Sequence, residues 1–600
     1  MVHLGAMLYF QKFASFLGLS AQAAPEHSTS SNPVAQRLQR ADAQIDDICR
    51  ASGVAGASIG VIRNGTLIHE HYCGFADVES RIPAELHTVY DIGSLTKSFI
   101  SATIAQLVDE SRKTAHPVTF DTLVKDLLPE FNHDCPTINS MLTLNDILTH
   151  RSGLASTGAM NLAFQGDGDM LLPKESLFQI VNHLPVLSPL RQSWSYFVWG
   201  YALAGTWIER FTGRSLGEAV ADKVLGPLEL NETYFDPADV DERLLARPYA
   251  GLSDGTAFRL PKHQVFEGTF FEASGGVYSS LSDMAKWCTA MLRSIHDARS
   301  GGKSSNSPIK HVSHLVSNMI PIHNPSIRER SYGLGWIRTQ LPNVVGVMGD
   351  NAGLWPMEEG PVLGTDQTPI FMLYHQGSTV GYYSHMALFP DADTAVVVLT
   401  NSIAISDAPD WISRVLTQAL FDLQDGNDYV ALAKDANRRV LEKFDQLASD
   451  IKLACPLPPA LIENGRPRSP AARLRSQQRL AGRYISESKL FFIDILSPSN
   501  DNDSEESDSL RMRFQGLADQ TYDLRHLCDS TYEWFLQHDE SKKRGRYNQL
   551  EKSLYLIKFD EARGSLSWTI DSELPGSEGD EVFYKTGASH GYGRHENSAQ

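Results

Sequence analysis

The chain has 600 residues, 42% hydrophobic and 21% charged, enough apolar sequence for a core and too long for one ordinary domain, so two domains or one large and one small are expected. A formal net charge of −19 argues against a general nucleic-acid binder, which needs a basic face to neutralise phosphates. The six cysteines (Cys49, Cys73, Cys135, Cys288, Cys455 and Cys528) form no C-x-x-C pair, which weakens zinc and dithiol readings, and no run of about 20 apolar residues marks a spanning helix.

The N-terminal "MLYFQKFASFLGLSAQAAP" holds a short apolar run and an A-Q-A site. It reads either as a weak secretory signal or as a disordered leader. Lys12 interrupts the apolar part and no basic region precedes it, so a cytoplasmic chain is preferred, with secretion as the alternative. Residues 1–33 are therefore read as a leader. A helical pattern opens at Val34, and Asn64-Gly65 between two apolar-rich runs signals a hairpin. After Ser94 the apolar positions Phe99, Ile100, Ile104, Leu107 and Val108 recur at helical spacing. Residues from about 120 to 300 read as helices and long loops. Strand signals return at "TPIFMLYHQGS" and "HMALFPDADTAVVVLTNS", followed by the helical "APDWISRVLTQALFDLQDG". Strands at both ends with helices between imply one α+β domain over 34–426, whose sheet joins residues near 60 to residues near 400.

Residues 427–478 read as a connector with a helix and a Pro-rich stretch. Beyond it, over 479–600, "AGRYISESKLFFIDIL", "LRMRFQG", "YEWFLQHD", "SLYLIKFD", "GSLSWTID" and "EVFYKTG" read as short strands of a small all-β barrel or sandwich. The acidic "SNDNDSEESDS" is expected to be a solvated loop within it.

Ser94 and Lys97 stand three apart at the start of the helical pattern in "YDIGSLTKSF". On a helix that spacing puts both on one face. A serine hydroxyl needs such a base within hydrogen-bond reach to act as a nucleophile. Burial would lower the lysine pKa toward that role. The chain contains Ser-x-x-Lys five times, so spacing alone leaves open whether Ser94 is a nucleophile or a polar residue at a helix end. "GLSDG", 251–255, is a literal G-x-S-x-G, but Pro248 and Pro261 flank it; it reads as a surface loop, not a strand-to-helix elbow.

The context of Ser94 resembles the serine β-lactamase-like family, which includes class C β-lactamases, D-Ala-D-Ala carboxypeptidases, D-aminopeptidases, esterases and fungal acyltransferases. The blocks that carry the resemblance come in the family's order: "TVYDIGSLTKSFISATIAQLVDE", "LTLNDILTHRSGL", "SWSYFVWGYALAGTWIERFTG", "ASGGVYSSLSDMAKW", "SYGLGW" and "YHQGSTVGYYSHMALFPDADTAVVVLTN". The resemblance implies an antiparallel sheet with helices. It makes Ser94 the acylated nucleophile, Lys97 its base and Tyr196 the proton shuttle. It puts His375, Gln376 and Gly377 on a strand edge lining the site, and the backbone N–H groups of Ser94 and Ser378 in the oxyanion hole. His375, Gly377 and Val198 are the expected substrate-binding residues. His150 is expected to be structural, and Tyr201, Trp194 and Trp199 to be core or pocket wall.

Two departures stand out. The family's Tyr-x-Asn is here Tyr196-Phe197-Val198, and a valine cannot hydrogen-bond to Lys97 or to a substrate amide. That suits an apolar acyl group or an ester, or else marks a catalytically inactive binding or scaffold member. Lys585-Thr586-Gly587 copies a lactamase third motif but lies almost at the chain's end, so it is taken as coincidence. No metal-ligand spacing such as H-E-x-x-H and no phosphate-cradling loop appears, and no cofactor is implied. The expected function is a serine hydrolase or acyltransferase on a small-molecule ester, thioester or amide. The family's fungal acyltransferases act in natural-product pathways.

Overall fold

The computed structural model describes residues 33–261, 268–301, 307–322, 328–356, 359–365, 369–454, 476–497 and 510–587, with a short strand pair at 462–463 and 466–467. Residues 1–32 of the expected leader, the acidic run near 500 and, apart from that strand pair, the Pro-rich part of the connector lie outside the described residues.

The chain opens with α1 (Pro33–Ser52), whose Leu38, Ala41, Ile45 and Ile48 form a buried stripe. Next come β1 (Gly56–Arg63) and β2 (Thr66–Asp77). Asn64 and Gly65 both take positive φ, 51° and 74°, the turn whose twist suits a two-residue hairpin. The remaining strands of this sheet are β3 (Ile82–Pro83), β4 (Ile320–Pro321), β5 (Arg330–Tyr332), β6 (Ile337–Leu341), β7 (Ile370–Thr379), β8 (Tyr382–Phe389) and β9 (Thr394–Thr400). Their spatial order is β3-β2-β1-β9-β8-β7-β6-β5-β4. Ile59 of β1 faces Val398 of β9 across an antiparallel pair, so the two ends of the α+β domain close one sheet.

Helices cover both faces of this sheet. The side chains of β2 that pair across from Ala57, Ile59 and Val61 meet α1. Gly60, pointing the other way, has Leu281 against it, the first residue of α4 (Leu281–Arg299). Between them in sequence lie α2 (Thr96–Ser111), almost wholly buried, and α3 (Val198–Thr212), which ends at Gly213 in the left-handed conformation. The region from 120 to 300 is richer in strand than its sequence suggested. It holds Tyr278–Ser280 and Thr233–Tyr234, which form a three-stranded sheet with Val89–Asp91 from outside the region, and two strands of a second. These strands are only two or three residues long, too short to show a period. The domain closes with α5 (Ala408–Phe421), and α6 (Tyr429–Leu453) follows.

The C-terminal part is a closed barrel of β10 (Gly482–Ser486), β11 (Phe492–Leu496), β12 (Leu510–Phe514), β13 (Thr521–Cys528), β14 (Thr531–Glu533), β15 (Leu556–Asp560), β16 (Ser565–Thr569) and β17 (Asp580–Lys585). Phe514 and Trp568 stack in its interior at 5.3 Å. The strand β13 was not read from sequence. Its inward Tyr522 and Leu524 alternate with exposed Asp523 and Arg525, and the charged members mask the apolar half of the pattern. "YEWFLQHD" is strand only at its start. After β14 the chain leaves the barrel, forms α7 (His538–Lys543), and returns at β15.

Among the described residues no helix is long and apolar enough to cross a membrane.

Candidate active site

Ser94 sits in a 3₁₀ turn, Gly93–Leu95, that feeds directly into α2. The turn is tied down on two sides. Gly93 N–H donates to Asp91 Oδ1 at 2.8 Å, and Ser384 Oγ of β8 donates to Ile92 O at 2.8 Å. Gly93 has φ +52°, and a Cβ there would lie 2.6 Å from the Ser378 backbone nitrogen. Only glycine lets the nucleophile loop and β7 approach so closely.

Ser94 Oγ lies 3.0 Å from Lys97 Nζ and 2.7 Å from the Tyr196 hydroxyl. Lys97 Nζ also donates to the Ser274 carbonyl at 2.6 Å. The Lys97 side chain is fully buried. It also lies over the rings of Tyr196 and Tyr201, at 4.9 and 5.3 Å. Burial pushes its pKa well below the ordinary lysine value, because desolvation penalises the ammonium form. Lowering its pKa beside a serine hydroxyl suits the amine to act as the base that takes that proton.

Tyr196 precedes α3 and is held from both sides by His150. Ser195 N–H donates to His150 O at 3.0 Å, Phe197 N–H donates to His150 Nδ1 at 2.9 Å, and the His150 and Tyr196 rings lie 4.4 Å apart. Burial drives the His150 pKa well down. The ring is therefore neutral, and since Nδ1 accepts, the proton sits on Nε2. Burial raises the Tyr196 pKa, so its hydroxyl carries a proton at neutral pH.

The strand β7 supplies the opposite wall. Its pairing with β6 ends at Tyr374, while its pairing with β8 continues to Thr379. Among the described residues, one edge from His375 to Thr379 thus has no strand neighbour. Alternation puts His375 and Gly377 on one face and Gln376 and Ser378 on the other. Gly377 lies against Ile92 O, with no room for a Cβ. His375 is fully buried, and its Nε2 meets the Tyr332 hydroxyl at 2.9 Å. Burial lowers its pKa to about 3, and it lies behind the cavity wall as a neutral prop.

Ser94, Lys97 and Tyr196 open onto a cavity of about 190 Å³, and Val198, Gly377 and Ser378 line it while His375 does not. Met160, Phe164, Phe271 and Met348 make it largely apolar. Asp350 and Asp407 also line it. Asp407 accepts from Gln376 Nε2 at 2.6 Å, and burial raises its carboxyl pKa well above the ordinary range.

Sequence reasoning missed Ser274, Asp350, Asp407 and Tyr547. Tyr547 comes from the excursion between β14 and β15 and lines the cavity, with its hydroxyl in hydrogen-bond contact with Ser378. Beside it Asn548 Nδ2 donates to Asp350 at 3.0 Å. The barrel thus reaches the cavity, through a segment with no motif. Lys585 stays on the barrel, where its Nζ donates to Arg479 O at 2.6 Å. Ser253 of the G-x-S-x-G stretch lies in an exposed turn bonded to Asp539 of α7.

A family model described as Beta-lactamase matches residues 35–418. The chain belongs to the Beta-lactamase family. Within that family it is 27% identical over 323 residues to a protein named Unguisins hydrolase ungD′ from Aspergillus campestris, spanning 52% of this chain and 53% of that one. It is 25% identical over 253 residues to a D-aminopeptidase of Cereibacter sphaeroides, spanning 41% and 45%. The chain thus matches about half the length of these relatives. The octameric penicillin-binding protein homologue from Pyrococcus abyssi shares the fold, with a TM-score of 0.50 at 19% identity over 92% of this chain and 99% of that one.

Proposed function

We propose that this member of the Beta-lactamase family is a serine hydrolase or acyltransferase working through an acyl-enzyme on Ser94. The observation that carries the reading is the contact of Ser94 Oγ with both the buried Lys97 amine and the Tyr196 hydroxyl at a cavity wall. Lys97 takes the Ser94 proton as Oγ bonds to the substrate carbonyl carbon. The N–H groups of Ser94 and Ser378 stabilise the oxyanion, a contribution of roughly 10²–10³ in rate per donor. Tyr196 passes the proton to the departing amine, alcohol or thiol as its bond to carbon breaks. Water or an acceptor nucleophile then attacks the ester carbon, gives its proton back through Tyr196, and releases Ser94.

The apolar lining and Val198 favour an apolar acyl group. The relatives named as a hydrolase of unguisins and a D-aminopeptidase weigh toward amide substrates, and we place an amide or ester of an apolar acid in this cavity. A second reading, a binding protein that keeps the fold, is favoured by Val198 alone.

Intact mass after incubation with a short p-nitrophenyl ester, and separately with a penicillin, tests the proposal. An adduct in the wild type that is absent in Ser94→Ala is expected. No adduct and no p-nitrophenol from the wild type would favour the binding-protein reading. Wild-type turnover by Ser94→Ala would remove the assignment altogether.

A further inference from the structure

Far along the sheet from β7, α1 and β2 bring together six side chains that the Ser94 chemistry leaves unused. On α1, Asp42, Asp46 and Cys49 follow at i, i+4 and i+7, one position round from the buried stripe. On β2, His69, His71 and Cys73 alternate and therefore share the face turned to α1. His71 Nε2 lies 2.8 Å from Asp46 Oδ1, and Cys73 Sγ donates to the same oxygen at 3.2 Å. The ligand atoms of Asp46, His71 and Cys73 all lie within 4.8 Å of one another. Cys49 is a free thiol in hydrogen-bond contact with Cys73.

The geometry points to a zinc site in which Asp46, Cys49, His71 and Cys73 pin the first helix to the first hairpin. Carboxylate, imidazole and two thiolates form a donor set suited to a borderline-soft, four-coordinate cation. With bonds of about 2.0–2.3 Å, tetrahedral zinc holds its ligands roughly 3.3–3.8 Å apart, a few tenths wider than the 2.8 and 3.2 Å that separate His71 and Cys73 from Asp46. Cys49 stands outside the group whose ligand atoms lie within 4.8 Å of one another, so its thiol has the largest rotation to make to become the fourth ligand. On binding, each thiol loses its proton to solvent and a Zn–S bond replaces the S–H bond.

A second layer is also built. The other ring nitrogen of His71, Nδ1, lies 3.7 Å from Asp42 Oδ1, which also meets His69 Nε2 at 2.9 Å. A carboxylate behind the imidazole fixes the ring so that Nε2 turns to the metal. Asp42 is thus a positioning residue and the other four are ligands. All four being protein groups makes this a closed, structural site.

The test uses the full chain, stripped with a chelator and kept reduced with a phosphine, and titrated with zinc against a chromophoric competitor. One equivalent of tightly bound zinc is expected, and cobalt in its place should show a thiolate charge-transfer band. Cys73→Ser and His71→Ala should lose both signals. Asp46→Asn, which keeps the side chain's shape, should lose the zinc while its circular dichroism stays that of the wild type. Asp42→Asn should weaken binding about 10–100-fold. Zinc stoichiometry unchanged in these variants, or no bound zinc in the reduced wild type, would overturn the site.

Discussion

Two fully buried cations, Lys97 and Arg414, solve the same problem in opposite ways. Arg414 on α5 donates to Asp410 at 2.9 Å and to the carbonyls of Val345 and Pro361 at 2.7 and 3.1 Å. Asp410 in turn accepts from Asn351 at 2.9 Å. Burial works against this guanidinium, yet the Asp410 charge and hydrogen bond outweigh it and leave its pKa raised. Lys97 meets a hydroxyl, a carbonyl and two aromatic rings, and its pKa falls. A buried cation with a carboxylate stays charged and holds structure together. One without has its pKa lowered, which suits it to serve as a base.

The largest effect that sharpens this contrast is Lys97→Met. It should cut ester turnover by about 10²–10⁴-fold, the usual worth of a positioned general base, with the protein still folded by circular dichroism. Its stability profile should differ as well. Folded Lys97 has a depressed pKa, so the unfolded chain binds more protons between that value and the ordinary one of 10.5. Wild-type stability should therefore fall as pH is lowered from 10.5 toward the depressed value and level off below it. Lys97→Met should lack that slope. Lys542, lowered by burial to about 8, has the same sign, which makes the difference between the two melting curves the quantity to read. Parallel curves would mean Lys97 stays charged in the fold.

Asp410→Ala is the counterpart. It strips the buried Arg414 of its carboxylate and should destabilise by about 3–5 kcal/mol, the cost of an uncompensated buried charge, measured by urea unfolding. A loss under about 1 kcal/mol would mean that the Val345 and Pro361 carbonyls alone satisfy the guanidinium.

The sequence made the local parts of this contrast legible. Ser94 and Lys97 are three apart, and Asn64-Gly65 carries the hairpin that starts the sheet; both are short-range patterns. The order of blocks from 90 to 400 located Tyr196, Gly377 and Ser378. What the sequence concealed depends on distant contacts. Ser274 acts through a backbone carbonyl, which any residue supplies. His375 belongs to the expected strand edge, but its side chain is fully buried against Tyr332, behind the cavity wall. Lys97's missing counter-ion is a property of the packed fold. Tyr547 is in no family block, and only the closed barrel with its excursion brings it 453 residues along the chain back to Ser94's cavity.

That last point yields the smallest effects, and they separate two ways the barrel could matter. If its role is the excursion, Tyr547→Phe, which removes only the hydroxyl beside Ser378, should shift ester kcat/KM by a few-fold, since one uncharged hydrogen bond is worth about 0.5–1.5 kcal/mol. Tyr547→Ala should do more, by opening the apolar wall next to Phe164, whose ring lies 6.0 Å away. Lys585→Ala should leave kcat and KM as they are, because that amine faces Arg479 O on the barrel's own surface. A collapse of activity in Lys585→Ala with Tyr547→Ala silent would move the barrel's contribution from the excursion to the last strand. The cavity wall drawn here would then be open on its barrel side.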